Sequence, residues 1–359
     1  MIIDNIEVHN NLTYDFLASL YRLNNNEKMI DNISEYKDLV MNFKLNEDII
    51  DWTRRSKKKI SEEVMTKMSV FFDSETYYGM CLIPYIVDYK INSIEEFINV
   101  LKSIPPTDML KNFIDTGYGP KDGLVSTDLV QELINNYKKA TAYINDKISI
   151  PSKQKWDLLQ FFVDPEKMKR ELIELLTWFY ENIYVYEEEK IKVVLYKNTK
   201  EIKNTLAKYG NEYLELLFNI KPNKLKNFRR VILILSYSYE FGSMSSSNDE
   251  NDYIFLIGYR YQDIFVKGKH DLLSNVQIFK ALADETRLNI IKLLSKKSMY
   301  GREIAQELEL SNSNISYHTS MLIFHNLIIN TKEDNKTYFS LDKEELRKVI
   351  NSSIDKLII

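Results

Sequence analysis

Between Ser311 and Asn330 the chain carries no Lys, Arg, Asp or Glu. Within that stretch Ile315, His318, Thr319 and Leu322 fall at 0, +3, +4 and +7, the spacing of one helix face. Ser313, Ser316, Tyr317 and Ser320 repeat the spacing on the other side, with Asn312 and Asn314 at the start. A merely solvated helix would carry Glu and Lys on its outer face. Amides and hydroxyls at the N-terminal end of a helix are instead the groups that hydrogen-bond base edges in the major groove of double-stranded DNA. Asn312, Ser313, Asn314, Ser316, Tyr317 and Ser320 are therefore candidate base-reading residues. Cations to hold phosphates must come from outside this helix. Arg302, Lys332 and Lys336 are available, with Lys296 and Lys297 just upstream.

The surrounding pattern supplies elements to position these groups. Val276–Leu282 reads as a helix, and Asp284-Glu-Thr286 caps a second, Arg287–Leu294. Arg302–Leu308 is a short third helix, followed by a tight turn, Glu309-Leu-Ser311, and a fourth helix from Asn312 to His325. Two short helices joined by three or four residues make a helix-turn-helix. Ile328–Thr331 and Thr337–Leu341 alternate as two strands around Glu333-Asp-Asn-Lys336, which makes a wing, and a last helix enters at Asp342-Lys-Glu-Glu345.

Four segments in this order, Ala281-Leu-Ala-Asp-Glu-Thr-Arg-Leu288, Arg302-Glu-Ile-Ala-Gln-Glu-Leu308, Leu310-Ser-Asn-Ser-Asn-Ile-Ser-Tyr-His318 and Tyr338-Phe-Ser-Leu341, resemble the ArsR/SmtB-type winged-helix repressors. The resemblance spans about residues 275–345. It implies homodimers that bind pseudo-palindromic operators and repress neighbouring genes. It also places base reading on Asn312–Ser320 and the wing on Lys332–Thr337, which adds Thr337 to the phosphate candidates. The chain departs from the family at several points. No cysteine lies in Arg302–Leu308 and no histidine in Asp342–Ile359, so neither metal-sensing class of the family has its ligands here. Thr319 stands where a leucine is usual, and Asp334-Asn335 where the wing commonly turns on Gly-Arg. Ile323-Phe324 takes positions that are usually charged, so a cover over them is expected, from the N-terminal region or a dimer partner.

The rest of the chain is read from composition and period. It has 359 residues, 44% hydrophobic and 28% charged, with nine glycines and seven prolines, which fits a globular, mainly helical protein of more than one domain. The net charge of −4 argues against wholesale coating of nucleic acid, but residues 272–359 hold 12 Lys/Arg against 11 Asp/Glu and are near neutral. The expected fold is mainly α with small β elements (α+β). A helical domain over residues 1–227 is followed by a β-hairpin or small sheet and linker over 228–271, then the winged helix over 272–359. The hairpin reading rests on two β-like runs, Val231-Ile-Leu-Ile-Leu235 and Tyr253-Ile-Phe-Leu-Ile257, separated by a polar turn, Phe241–Asn251. Ser93-Ile-Glu-Glu96 and Asp164-Pro-Glu166 read as helix starts.

Nothing in the N-terminal part assembles a catalytic set, so no enzyme, cofactor or metal is expected. Gly117-Tyr-Gly119-Pro-Lys-Asp-Gly123 lacks the strand and the Lys-Ser/Thr of a phosphate loop and reads as a turn cluster. Cys81 reads as a buried apolar residue, and Arg54-Arg-Ser-Lys-Lys-Lys59 first as a solvated helix start partnered by Glu62 and Glu63 and second as a further DNA-backbone contact. Aromatic residues Trp156, Phe161, Phe162, Trp178, Tyr180, Tyr184 and Tyr186 read first as core and second as the lining of a pocket for a small-molecule effector of unidentified class. The single cysteine, the acidic N-terminal segment and the lack of an 18-residue apolar run point to a cytoplasmic protein with no membrane partner. The competing reading is an interaction scaffold whose winged helix binds a protein partner rather than DNA.

Overall fold

The computed structural model describes residues 5–34, 44–115, 125–148, 150–218, 225–247, 252–263, 276–325, 327–333, 336–355 and 358. A short strand β1 (Ile6–His9) leads into α1 (Leu12–Ser34). There follow α2 (Glu47–Lys57), α3 (Glu62–Phe71), a 3-10 turn at Met80–Leu82, α4 (Ile83–Asp88), α5 (Ile94–Ser103), α6 (Pro106–Asp115) and α7 (Thr127–Asn135). Then come α8 (Tyr137–Lys147), α9 (Ser152–Val163), α10 (Pro165–Asn182) and α11 (Glu188–Phe218). The chain is mainly helical with small sheets, as its composition implies. The helix starts at Ser93 and Asp164 form through their side chains, which accept from the Glu96 and Lys167 amides at 3.1 and 2.9 Å.

Helix α1 is the axis of this part. Thr13–Leu23 is buried on every side, the condition of a helix packed all round rather than along one stripe. It lies against a four-stranded sheet of order β1-β2-β4-β3, made with β2 (Val231–Ser236), β3 (Ser243–Ser247) and β4 (Tyr253–Gly258). The two apolar runs pair in parallel, Val231 with Tyr253, and β1 joins β2 in parallel, Ile6 with Val231. Of the expected hairpin or small sheet over 228–271, the structure forms a small sheet, in which 231–235 and 253–257 pair in parallel and not as a hairpin. Strands buried on both faces, as β2 and β4 are, take continuous apolar sequence, which suits parallel sheets covered on both sides. The antiparallel hairpin is instead β3–β4, so part of the supposed polar turn is the serine-rich edge strand Ser243–Ser247.

A buried carboxylate ties α1 to this sheet. Asp15 accepts hydrogen bonds from Ser236 Oγ (2.6 Å), the Ser238 amide (2.8 Å), Ser238 Oγ (3.1 Å) and Tyr184 Oη (3.1 Å). Burial pushes its carboxyl above the usual range, and these hydrogen bonds pull it back.

The C-terminal elements are α12 (Val276–Leu282), α13 (Glu285–Leu294), β5 (Met299–Tyr300), α14 (Gly301–Leu308), α15 (Asn312–Phe324), β6 (Ile329–Glu333), β7 (Lys336–Ser340) and α16 (Lys343–Asp355). Their sheet has the order β5-β7-β6. They close on their own core, which includes Ile290, Leu294, Ile304, Ile315, Leu322 and Phe339 and shares no residue with the N-terminal core from Tyr14 to Tyr261.

Replacing Asp15 with Ala leaves two serine hydroxyls, an amide and a tyrosine hydroxyl without their acceptor in a dry site. The expected loss is roughly 3 kcal/mol, read as a lower urea midpoint at unchanged slope. A midpoint shift near zero would mean that the Asp15 knot does not hold the sheet to α1.

Candidate nucleic-acid interface

Helices α14 and α15 are joined by a turn that reverses the chain at Glu309, whose φ of 55° and ψ of 38° put it in the left-handed region. The Leu310 amide closes the turn onto Ala305 O at 2.9 Å. Ser311 then caps α15, its hydroxyl accepting from the Asn314 amide at 3.1 Å. Ahead of them, Asp284 caps α13 through the Arg287 amide at 2.8 Å and lies 3.5 Å from Nδ1 of His318.

The inward face forms as its spacing requires: Ile315, His318, Thr319 and Leu322 are all buried. Thr319 takes the place of a longer apolar residue by donating its hydroxyl to Ile315 O at 2.8 Å, within its own helix. Ile323 is partly buried against the C-terminal core, so the winged helix itself gives it cover. The side chain of Phe324 lies outside the described residues.

On the outward face Ser316 is exposed, while Asn312, Ser313, Asn314 and Ser320 are partly exposed. Tyr317 is not, at 6% exposure, with its ring edge-on to His318 at 5.0 Å. Arg302 is likewise buried, at 5%. It lies close enough to Tyr78 of the N-terminal part for its charge to bear on that buried hydroxyl, which burial pushes far up and Arg302 pulls down. In this conformation Arg302 and Tyr317 cannot reach a duplex, which corrects the expectation that both face solvent.

The wing forms, with Lys332 opposite Thr337 and Glu333 opposite Lys336 across β6 and β7. Thr337 is partly exposed. The side chains of Lys332 and Lys336, and all of Asp334 and Asn335, lie outside the described residues. Lys296 and Lys297, just ahead of β5, are exposed.

One residue at this site is not readable from local sequence. Glu75, on the loop after α3, reaches the start of α15: one carboxylate oxygen accepts from the Asn312 amide and the other from Ser313 Oγ, each at 3.3 Å. It is 6% exposed. Asp73-Ser-Glu75-Thr carries no motif, and its partners are 237 and 238 positions away.

The other candidates sort simply. Cys81 is buried. The basic run is largely paired within its own domain: Arg54 to Asp51, Arg55 to Glu187 and Lys57 to Glu27, with Lys59 over the Tyr186 ring. Phe161, Phe162 and Tyr184 are buried in the core, while Trp156 and Tyr186 are exposed, so these aromatics do not converge on one pocket. A groove of about 470 Å³ between α3 and α10 is lined instead by Glu63, Lys67, Lys167, Arg170, Glu171 and Glu174, with other residues. The glycine cluster at 117–123 lies outside the described residues. Among the described residues no group of three or more His, Cys, Asp or Glu could hold a metal, and no helix is long and apolar enough to cross a membrane.

Comparison with known proteins bears on the C-terminal part alone. Residues 284–329 match the family model for bacterial regulatory proteins of the arsR family. The transcriptional repressor SdpR of Bacillus subtilis (strain 168) is 32% identical over 74 residues, which is 21% of this chain and 82% of SdpR. The arsenical resistance operon repressor of the same organism is 31% identical over 88 residues, 24% of this chain and 84% of the relative. Among solved structures, reduced HlyU from Vibrio cholerae N16961 matches at 28% identity, covering 24% of this chain and 90% of that chain, with a TM-score of 0.20. A helix-turn-helix with a wing, matched over most of the length of such relatives, places the chain, through its C-terminal domain, in the ArsR family of bacterial regulatory proteins.

Proposed function

We propose that the chain is a sequence-specific, DNA-binding transcriptional regulator that acts as a homodimer on a pseudo-palindromic operator, with repression as its output. The observation that carries this reading is α15 itself. It is an uncharged helix capped at Ser311, buried at Ile315, His318, Thr319 and Leu322 and offering amides and hydroxyls outward, with Ser316 exposed at its centre. The names of the relatives support repression, since SdpR and the arsenical resistance protein are both called repressors. HlyU of Vibrio cholerae is called a transcriptional activator, so the sign of control is the part of the reading that gene-expression measurements must decide. The N-terminal domain is proposed as the sensing or assembly part, and no catalytic role is proposed for it.

Affinity then comes from few cations, those of the wing with Lys296 and Lys297, and specificity from the neutral helix. This division separates two measurements. Ser316→Ala is expected to lower affinity for DNA selected from genomic fragments by about 1–3 kcal/mol while sparing random duplex. Equal losses on both would remove Ser316 from base reading. Replacing Lys332 and Lys336 together with Ala is expected to weaken binding to every duplex and reduce the salt dependence by up to roughly 2 in slope. An unchanged slope would take the wing off the phosphates. Absence of binding to any duplex at low salt by chains that fold normally would favour a protein-binding scaffold.

A further inference from the structure

The first turn of α15 is the part of the chain that the proposed function sends into the major groove, and in this structure it already has a ligand. Its Asn312 amide and the Ser313 hydroxyl both donate to the Glu75 carboxylate. Free amides and the positive end of the helix dipole make such a turn a natural seat for an anion, carboxylate or phosphate alike. Glu75 and a DNA phosphate cannot share it, because they need the same donors and repel each other.

The loop that carries Glu75 is braced rather than loose. Asp73 Oδ1 accepts from the Glu75 amide at 2.7 Å and from Gln154 Nε2 at 3.2 Å. Lys28 Nζ donates to Ser74 Oγ at 2.7 Å, and the Asn24 and Asn25 amides hold Phe72 O at 3.0 and 2.7 Å. Glu75 is thus presented to α15 by the N-terminal core. Two neighbouring features agree with a closed arrangement. Tyr317, one turn along from Ser313, is buried, and so is Arg302, whose charge bears on Tyr78 at the far end of the same loop.

We propose that the Asp73–Tyr78 loop is an autoinhibitory clamp, in which Glu75 holds the donors at the start of the reading helix and keeps the winged helix from DNA until the N-terminal domain moves off. The proposal rests on the DNA-binding reading. Its arithmetic is that of a binding-competent state populated only in part: measured affinity is the affinity of the open form multiplied by the fraction open.

The test uses the full-length chain, with Glu75→Ala to remove the contact and Glu75→Gln to remove only its charge. Glu62→Gln, an exposed acid at the start of α3, serves as a charge-matched control. Binding to DNA from upstream of the gene and to random duplex is followed by fluorescence anisotropy at low salt. Amide hydrogen exchange at residues 312–314 is followed without DNA. Glu75→Ala is expected to speed exchange there and to raise affinity for both duplexes by about tenfold, with Glu75→Gln between it and the wild type and Glu62→Gln close to the wild type. Faster exchange with unchanged affinity, in a wild-type chain that does bind DNA, would overturn the clamp and leave the DNA reading standing. Unchanged exchange in Glu75→Ala would overturn the clamp by showing no contact to release. Faster exchange with no binding of any duplex by any of the chains would bring down the DNA reading, and the clamp with it.

Discussion

The donors at the start of a helix can be given to one anion at a time, and in this chain that choice falls at the junction of two otherwise self-contained bodies. Each hydrophobic core closes without borrowing a residue from the other. Where they meet, the described residues show a carboxylate on a helix end and a buried arginine whose charge bears on a buried tyrosine, and the two core clusters among them share no residue. Junctions of this polar kind are expected to let domains move relative to each other, whereas a large hydrophobic seam would weld them. In the described residues the hydrogen bonds across that junction that involve the start of α15 are made by one side chain, Glu75.

The stiffness behind that side chain comes from the N-terminal architecture. Helix α1, buried on every side from Thr13 to Leu23, is fixed to β2 through Asp15 and bends at Asn25, whose amide turns to hold Phe72 O at the base of the Glu75 loop. A second buried polar contact, Arg22 with Glu240 at 3.5 Å, joins the same helix to the segment just beyond β2. The loop thus stands on the buried core of the domain, and a change in the sheet or in α1 would be felt at Glu75. Control on this plan would lie in the fit between domains and not in a metal held by the winged helix, whose third helix has no cysteine.

How much of this was legible in the sequence follows from how local each feature is. The winged helix was readable nearly to the residue, because its signals are neighbours: Asp284 and Ser311 each cap three residues from their donors, and the inward face repeats within one helix. The sheet was legible only as apolar runs. Which strands pair, and in which direction, depends on a partner more than 220 positions away, so Val231–Ser236 and Tyr253–Gly258 looked like a hairpin although β1 and β4 flank β2 in parallel. The burial of Tyr317 and Arg302 was illegible for a related reason. Their residue types were compatible with a DNA surface, but their burial is a property of the whole chain, and at this surface the N-terminal domain contributes a residue that no local pattern could single out.

The parallel pairing of β1 with β2 also bears on how the protein comes into being. Ile6 waits for Val231 and its neighbours before its strand has a partner, so the N-terminal sheet is completed only when the chain has been made as far as β4. On a ribosome, where domains tend to fold in the order in which they emerge, that moment comes some fifty residues before α15 is synthesised. The surface that receives the reading helix can thus exist before the helix does. A newly made molecule would meet its own Glu75 before it meets any DNA, and would enter the cell already closed.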